Sequence, residues 1–245
     1  MSQFKLLSQN VFWYQGVPFE SDQPQNANQK ILKYLSEIYL SENIDLYCFQ
    51  EIQSQETVNS LKSLLSIEGV YTPGNQLRQY GGGVLSKNII ESIESNDLNF
   101  DRLIQISNIS FQETQLKISN LHLPSNRHLG VEGSKKKKIN EMTALLLSHS
   151  DLDIICGDFN DYEGSEIYSF MSKNGYFDSA DILNKKHLTT GITEKKKRGD
   201  FIWINSELKN NIVNYEVIPK EKLIPSGINK TFLSDHLPVI ITLEF

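Results

Sequence analysis

Two patterns of apolar residues alternate along the chain, and each predicts a different element. Short apolar or β-branched runs bounded by polar residues or glycine predict buried strands. Apolar residues three or four positions apart predict amphipathic helices. The predicted strands cover 4–11, 44–49, 84–87, 103–109, 115–121, 152–156, 201–204, 215–219 and 237–243, and the predicted helices cover 28–42, 55–65, 134–150 and 165–173.

The order of these elements predicts the fold class. Consecutive strands with no helix between them, as at 103–121, are mixed with strand–helix–strand units. This mixture favours an α/β (α+β) fold of two stacked sheets with helices outside over a purely parallel sheet. No repeat, linker or low-complexity tract interrupts residues 1–245, so we predict one domain.

Composition narrows the class of protein without identifying it. The net charge of −6 is unlike that of a nucleic-acid coat protein, although a local basic patch can still serve a nuclease. Cys48 and Cys156 lie in apolar runs, which predicts reduced core residues. Neither a signal peptide nor a membrane span is visible in the sequence. We therefore expect a cytoplasmic protein, acting as a monomer.

Polar side chains stand at the ends of most of the predicted strands. They are Asn10, Glu51, His122, Asp158 with Asn160, Asp200, and Asp235 with His236. Each alone has an ordinary structural explanation, such as a turn former, a helix N-terminal acid or a core histidine. Together they are typical of a divalent-cation site, because Mg²⁺ takes oxygen ligands and keeps positions open for water and phosphate. The two histidines lack the spacing and cysteine partners of structural zinc.

Seven segments of the sequence resemble the endonuclease/exonuclease/phosphatase superfamily, which has the deoxyribonuclease I-like fold. They are LLSQNV, YCFQE, YGGGVLSK, NLHLPSN, IICGDFND, RGDFIWI and LSDHLPVIITL, in the family's order over nearly the whole chain. The resemblance implies a four-layer sandwich in which two central, mostly antiparallel sheets pack face to face. The chain departs from the family pattern at Gly199 and at Asn88-Ile89, which affects the choice of subfamily and touches no proposed chemical group.

The resemblance also implies a metal site. It makes Glu51 the main carboxylate ligand of Mg²⁺, for which Mn²⁺ can substitute, with Asn10 and Asp235 as further contributors. Such a cation supplies Lewis acidity and a template for phosphoryl transfer.

Five further residues receive catalytic roles from the same resemblance. Asp158 orients and deprotonates the attacking water, and Asn160 helps to hold the phosphate. His236, paired with Asp200, contacts the phosphate and its developing charge. His122 contacts the phosphate from the other side or assists the leaving oxygen. Such a layout fits phosphoryl hydrolysis, which depends on charge stabilisation around an in-line displacement.

Three functions agree with these motifs. The first is a metal-dependent nuclease or phosphodiesterase acting on nucleic acid or a nucleotide. The second is a phosphatase of the same fold acting on a small phosphorylated metabolite, inositol or lipid headgroup. The third is a catalytically silent binding module, which the Asp200–His236 pair argues against because binding alone does not need it.

Two basic runs and one aromatic triplet bear on the substrate. Residues 135–138 and 195–198 are runs of lysine and arginine, which predict an anion-attracting rim or, equally for the first run, solvated surface lysines. The substrate-binding candidates from these runs are Lys135, Lys136, Lys195, Lys196, Lys197 and Arg198. Phe12, Trp13 and Tyr14 follow Asn10 and either stack on a base or pack within the loop, and packing is the more common outcome.

Overall fold

The architecture comes from a computed structural model, which describes residues 2–22, 24–93, 98–193 and 198–245. The strands are β1 (Gln3–Asn10), β2 (Leu46–Ile52), β3 (Glu68–Thr72), β4 (Gly81–Ser86), β5 (Ile89–Ile93), β6 (Leu103–Phe111), β7 (Thr114–His122), β8 (Ile154–Asp158), β9 (Phe177–Asp178), β10 (Asp200–Ile204), β11 (Ile212–Val217) and β12 (Val239–Glu244). The helices are α1 (Gln29–Ser41), α2 (Gln55–Leu65), α3 (Asn126–Ser148), α4 (Glu166–Lys173) and α5 (Ser179–Ile182).

The strands form two six-stranded sheets of matching design. The first has the order β11-β12-β1-β2-β4-β3 and the second the order β5-β6-β7-β8-β10-β9. Each sheet contains one parallel pair, β1 with β2 and β7 with β8, and its other pairs are antiparallel. The expectation of two mostly antiparallel sheets is confirmed.

Three apolar clusters account for the four layers. The inner faces of both sheets, with Leu6, Cys48 and Cys156 among their residues, share the central cluster. A second cluster joins the outer face of the first sheet to α1 and α2, and a third joins the outer face of the second sheet to α3 and α4. Because central strands are buried on both faces, they read as continuous apolar runs in the sequence.

The structure differs from the predicted elements where local signals are weak. The short edge strand β3 begins at Glu68, ahead of the loop predicted from residue 71. Helix α3 begins at Asn126, upstream of the predicted start at 134, and is broken at Gly130, whose φ is 66°. A glycine in an otherwise helical stretch lowers helix propensity, so the segment before it gave no helical signal.

No helix in the described ranges is long and apolar enough to cross a bilayer.

Candidate active site

Strand register brings the predicted site residues to one edge of the sandwich. In the second sheet His122 ends β7 and pairs with Asp158 at the end of β8, which in turn pairs with Asp200 at the start of β10. In the first sheet Asn10, at the end of β1, pairs with Gln50 beside Glu51. The carboxyl ends of both parallel pairs carry site residues, and the two edges face each other across one cleft.

The cleft has a volume of about 250 Å³ and is lined by most of the predicted residues. They are Asn10, Glu51, His122, Asp158, Asn160, Asp235 and His236, joined by Phe12, Trp13, Phe19, Asp22, Tyr80, Arg102, Ser125 and Arg127. Asp200 is not in this lining and lies behind His236, to which it is hydrogen-bonded.

Local backbone conformation aims several of these side chains. A bulge in the pairing of β2 with β4 lies between Gln50 and Ile52, and Glu51 inside it has a φ of 59°. Asn160 likewise has a φ of 48°. Such conformations are uncommon for residues other than glycine and concentrate at functional sites. Gly157 is required for packing, because a Cβ there would lie 1.9 Å from the carbonyl oxygen of Leu121 on the neighbouring strand.

Asp200 is buried and forms a hydrogen-bonded pair with the partly buried His236. Nδ1 of His236 lies 2.9 and 3.0 Å from the two carboxylate oxygens of Asp200, while Nε2 points towards Asp158 Oδ2 at 3.8 Å. Burial alone would lower the pKa of His236, but Asp200, Asp235 and Asp158 outweigh it and raise that pKa to about 10. His236 is therefore a cation at neutral pH, with its Nε2–H directed towards the cleft.

Asp158 is the anionic counterpart of this cation. Its Oδ1 accepts from the backbone N–H of Asn160 at 2.8 Å, and its Oδ2 accepts from Nδ2 of Asn10 at 3.1 Å. Burial would raise the pKa of Asp158, but His236 and these two donors outweigh it and lower the pKa to about 2. Asp158 remains an ionised acceptor over the whole neutral range.

His122 is held in a different state from His236. Its Nε2 contacts the guanidinium of Arg102 and lies 3.0 Å from Nδ2 of Asn160, both of which are donors. Burial, and secondarily Arg102, hold the pKa of His122 well below its usual value. The ring is therefore neutral with its proton on Nδ1, and the lone pair on its Nε2 accepts hydrogen bonds from Arg102 and Asn160.

The residues expected to hold a metal fit such an ion. Oε2 of Glu51 is buried without a hydrogen-bond partner in the described part of the chain. Burial, and next the nearby Asp235, raise the pKa of Glu51 to about 8. A cation beside Glu51 would counteract the effects of burial and of Asp235, because an adjacent positive charge lowers the pKa of a carboxyl group. The side chain of Asp235 is 26% exposed and lies in the same cleft.

A second set of potential ligand atoms has a different explanation. Asp158, Asp200 and His236 each place one ligand atom within 4.8 Å of the others. This closeness follows from the hydrogen bond between Asp200 and His236 and from the pairing of β8 with β10. A cationic imidazole carries a proton on both nitrogens and has no lone pair for a metal. His236 therefore fits a proton and phosphate role better than a ligand role.

Arg198, the last residue of the second basic run, is placed differently from the prediction. Arg198 is buried, its guanidinium makes a bidentate ion pair with Asp178, and it stacks over Phe201. The prediction that Arg198 contacts substrate is therefore wrong, because strand β9 supplies a carboxylate that satisfies it internally. Lys195, Lys196 and Lys197 lie outside the described residues.

The first basic run divides between surface and interior. Lys135 pairs with Glu132, and Lys136 is exposed, so a role for either in attracting an anionic substrate stays a prediction. Lys138 is buried, and its Nζ donates to the carbonyl oxygen of Asn160 at 2.6 Å and to Asp161 at 3.0 Å. Lys138 thus fixes the turn that carries Asn160.

Two residues in this region were missed by the sequence reasoning. Arg102 directly precedes β6, one residue before Leu103, which pairs with His122. An arginine at a strand start was the only local signal for it. The position of Lys138 was readable from the helix period, because Ser134, Lys138 and Glu141 share the buried face of α3 with Met142 and Leu145.

The aromatic triplet serves mainly as packing. Trp13 and Tyr14 are buried, and Trp13 Nε1 donates to the carbonyl oxygen of Gln79 at 2.6 Å. Phe12 is half-buried and lines the cleft, with its ring 5.8 Å from that of Phe19.

Comparisons with known proteins agree with this architecture. Residues 7–236 match the model of the Endonuclease/Exonuclease/phosphatase family. No curated protein matches the sequence. An endonuclease/exonuclease/phosphatase family protein from Leptotrichia buccalis C-1013-b has a similar structure, with a TM-score of 0.69, 19% identity, and coverage of 99% of this chain and 100% of that chain.

Two further structures show the same fold. D. rerio TDP2, humanized by 14 mutations, is similar with a TM-score of 0.72, 17% identity and full coverage of both chains. The endonuclease domain of TRAS1, a telomere-specific non-LTR retrotransposon, gives a TM-score of 0.65 at 10% identity and covers 99% of each chain. At these identities the likeness concerns the fold, while the family match covers nearly the whole sequence. The chain belongs to the endonuclease/exonuclease/phosphatase family, whose members act on phosphate esters.

Proposed function

We propose that the protein is a Mg²⁺-dependent phosphoesterase that hydrolyses phosphodiester bonds by in-line attack of water, with Mn²⁺ able to replace Mg²⁺. One observation carries this proposal. A single cleft contains a buried carboxylate with one oxygen unpartnered among the described residues, an ionised aspartate and a cationic histidine, contributed by Glu51, Asp158 and His236. These are the groups needed to hold a cation, orient a water and receive an anionic phosphate.

Glu51 is the main metal ligand in this proposal, with Asn10 and Asp235 beside it. Support comes from the partnerless Oε2 of Glu51 and from its raised pKa, both of which describe a carboxylate in need of a positive neighbour. When bound, the cation supplies Lewis acidity to a phosphate oxygen and charge neutralisation in the transition state.

Asp158 orients the attacking water. The hydrogen bonds from Asn10 and from the backbone of Asn160 fix the carboxylate, so a lone pair can be directed at one water proton. Its low pKa keeps it ionised, and it takes the proton as the bond from water to phosphorus forms, when that proton becomes acidic. The P–O bond to the leaving group breaks on the opposite side, and the leaving oxygen is protonated from solvent.

The phosphate is received by two donors. His236 offers Nε2–H and a full positive charge. Arg102 and Asn160 both donate to the one lone pair on Nε2 of neutral His122, so one of these donors is surplus and can turn to a phosphate oxygen. In this account His122 positions Arg102 and Asn160, in place of the direct phosphate contact expected from sequence.

A panel of substrates tests the proposed reaction. With Mg²⁺ present, we expect turnover of bis-p-nitrophenyl phosphate and of at least one among single-stranded DNA, double-stranded DNA, RNA and nucleotides. Turnover restricted to p-nitrophenyl phosphate or phosphoinositides would assign the protein to phosphatases of the same fold. No turnover of any ester would leave only a binding role.

A further inference from the structure

A second cavity opens beside the catalytic cleft. It has a volume of about 410 Å³ and shares Asp22, Tyr80, Arg102 and Ser125 with the cleft. Its remaining lining comes from three loops and the start of α3, namely Gln76, Leu77, Gln79, Asp101, Pro124 and Leu129. We call it the side cavity. Because the two spaces share these four residues, a substituent on a phosphate in the cleft would lie next to the side cavity.

Arg102 stands at the boundary between these two spaces. Its side chain is only 5% exposed, and it contacts Nε2 of His122, Oγ of Ser125 at 3.1 Å and the ring of Tyr80 at 4.1 Å. None of these partners carries a negative charge, and no carboxylate within the described ranges forms an ion pair with Arg102. A buried guanidinium without an anion is costly, so an anionic ligand at this boundary would stabilise it.

The walls of the side cavity suit a flat, mostly apolar group. Leu77, Pro124 and Leu129 provide apolar surface, and Tyr80 provides an aromatic ring. Gln76 and the carboxylate of Asp22 add hydrogen-bond acceptors at the edge, which match the N–H groups of a nucleobase. A volume of about 410 Å³ lies in the usual range for small-molecule sites.

We propose that the side cavity is a subsite for one nucleoside of the substrate, held next to the scissile phosphate with Arg102 between base and phosphate. The inference rests on the proposed phosphodiester hydrolysis and names its substrate class as nucleotide-containing diesters. A monoester of a small metabolite makes no use of this space.

Filling the side cavity tests the subsite. Leu129 is 43% exposed in the first turns of α3, so Leu129→Trp adds an indole without displacing core residues. Leu147, near the other end of the same helix, is 81% exposed and lines neither cavity, so Leu147→Trp is a matched control. The two substrates are the p-nitrophenyl ester of thymidine 5′-monophosphate and methyl p-nitrophenyl phosphate, which share a leaving group and differ in the nucleoside.

We expect Leu129→Trp to raise KM for the thymidine ester by about 10-fold or more and to leave the methyl ester within about two-fold, since only the former enters the subsite. Leu147→Trp should change neither. Leu77→Trp, which fills the same cavity from a loop, should repeat the effect if Leu129→Trp folds poorly. Equal changes for both esters, or no change for either, would overturn the subsite.

Binding separates failure of the subsite from failure of the proposed reaction. If the wild-type protein hydrolyses neither ester, the phosphodiesterase proposal falls. Calorimetric titration with thymidine 5′-monophosphate and Mg²⁺ then tests the subsite alone. The proposal predicts binding to wild type and about 10-fold weaker binding to Leu129→Trp. Absence of binding to wild type, or equal binding to both, would overturn it.

Discussion

Replacing Asp200 with asparagine removes the carboxylate that holds His236 as a cation. Asparagine has nearly the same shape, so the backbone contacts of Asp200, including its N–H bond to Oγ1 of Thr190 at 3.2 Å, can persist. What changes is the charge 2.9 Å from Nδ1 of His236. The substitution therefore tests the electrostatic role of the pair with little change in packing.

The size of the effect follows from the groups around His236. Three carboxylates raise its pKa to about 10, and Asp200 is the largest contributor and the one hydrogen-bonded to the ring. Loss of one adjacent charge typically shifts a pKa by about 1 to 3 units. Because the proposed role of His236 requires its protonated form, the alkaline limb of the activity profile should move to lower pH by a similar amount.

The loss of rate should appear mainly in kcat, because the positive charge of His236 matters most as negative charge develops in the transition state. In serine proteases the corresponding aspartate-to-asparagine change costs about 10⁴ in kcat. We expect a loss on the order of 10²–10⁴ here, which corresponds to roughly 3–5 kcal/mol.

The assay is hydrolysis of bis-p-nitrophenyl phosphate with Mg²⁺ from about pH 6 to pH 10, with kcat and KM resolved at each pH. Asp153→Asn is the matched control, since that carboxylate is also hydrogen-bonded, to Lys117 and Asn205, but lies just ahead of β8, at the end away from the cleft. Turnover of Asp200→Asn within a few-fold of wild type, with an unchanged pH profile, would refute the pairing.

Three other predictions address stability and substrate size. Burial raises the pKa of Glu141 to about 8, so the folded state favours the protonated carboxyl and the stability of the protein should fall as the pH rises towards 8. We expect the unfolding free energy of Glu141→Gln, relative to that of wild type, to be about 1–4 kcal/mol higher at pH 9 than at pH 5. Urea titration at the two pH values measures this difference, and a difference that does not depend on pH would contradict the prediction. Lys138→Met strands the carboxylate of Asp161 and should cost about 3–5 kcal/mol of stability, and a loss below about 1 kcal/mol would mean that Lys138 is not the anchor of that turn. Neutralising Lys135 and Lys136 together should raise KM for DNA and flatten its salt dependence while sparing a small diester; an equal effect on both substrates would contradict a polyanion rim.

Much of the fold could be predicted because its central strands carry strong local signals. β2, β8 and β10 are buried on both faces and appear as continuous apolar runs. The edge strand β3 is half-buried, and β9 has two residues, so neither has enough apolar pattern to be found alone. Their existence depends on pairing with β4 and β10, which no local window contains.

The candidate site likewise contains residues that the sequence could predict and residues that it could not. Glu51, Asp158 and His236 stand in motifs at strand ends, and those motifs were sufficient to select them as candidates, which the structure brings to one cleft. Arg102 gains its position from contacts with Tyr80, Ser125 and His122, which belong to separate segments.

For Arg198 the sequence suggested an exposed position, whereas the structure shows a buried one. Its neighbours in sequence suggested a solvent-facing run, but its bidentate ion pair with Asp178 turns it inwards. Local charge patterns predict a surface only when no distant partner claims the charge.

Metal dependence through Glu51 is the central claim, and one comparison tests it most directly. Hydrolysis of bis-p-nitrophenyl phosphate and thermal stability are measured for wild type and for Glu51→Gln, each in EDTA and in Mg²⁺. We predict that EDTA abolishes wild-type turnover, that Mg²⁺ restores it and raises the melting temperature, and that Glu51→Gln folds but responds to Mg²⁺ in neither measurement. Full wild-type activity in EDTA, or Mg²⁺-stimulated turnover in Glu51→Gln equal to wild type, would contradict the account.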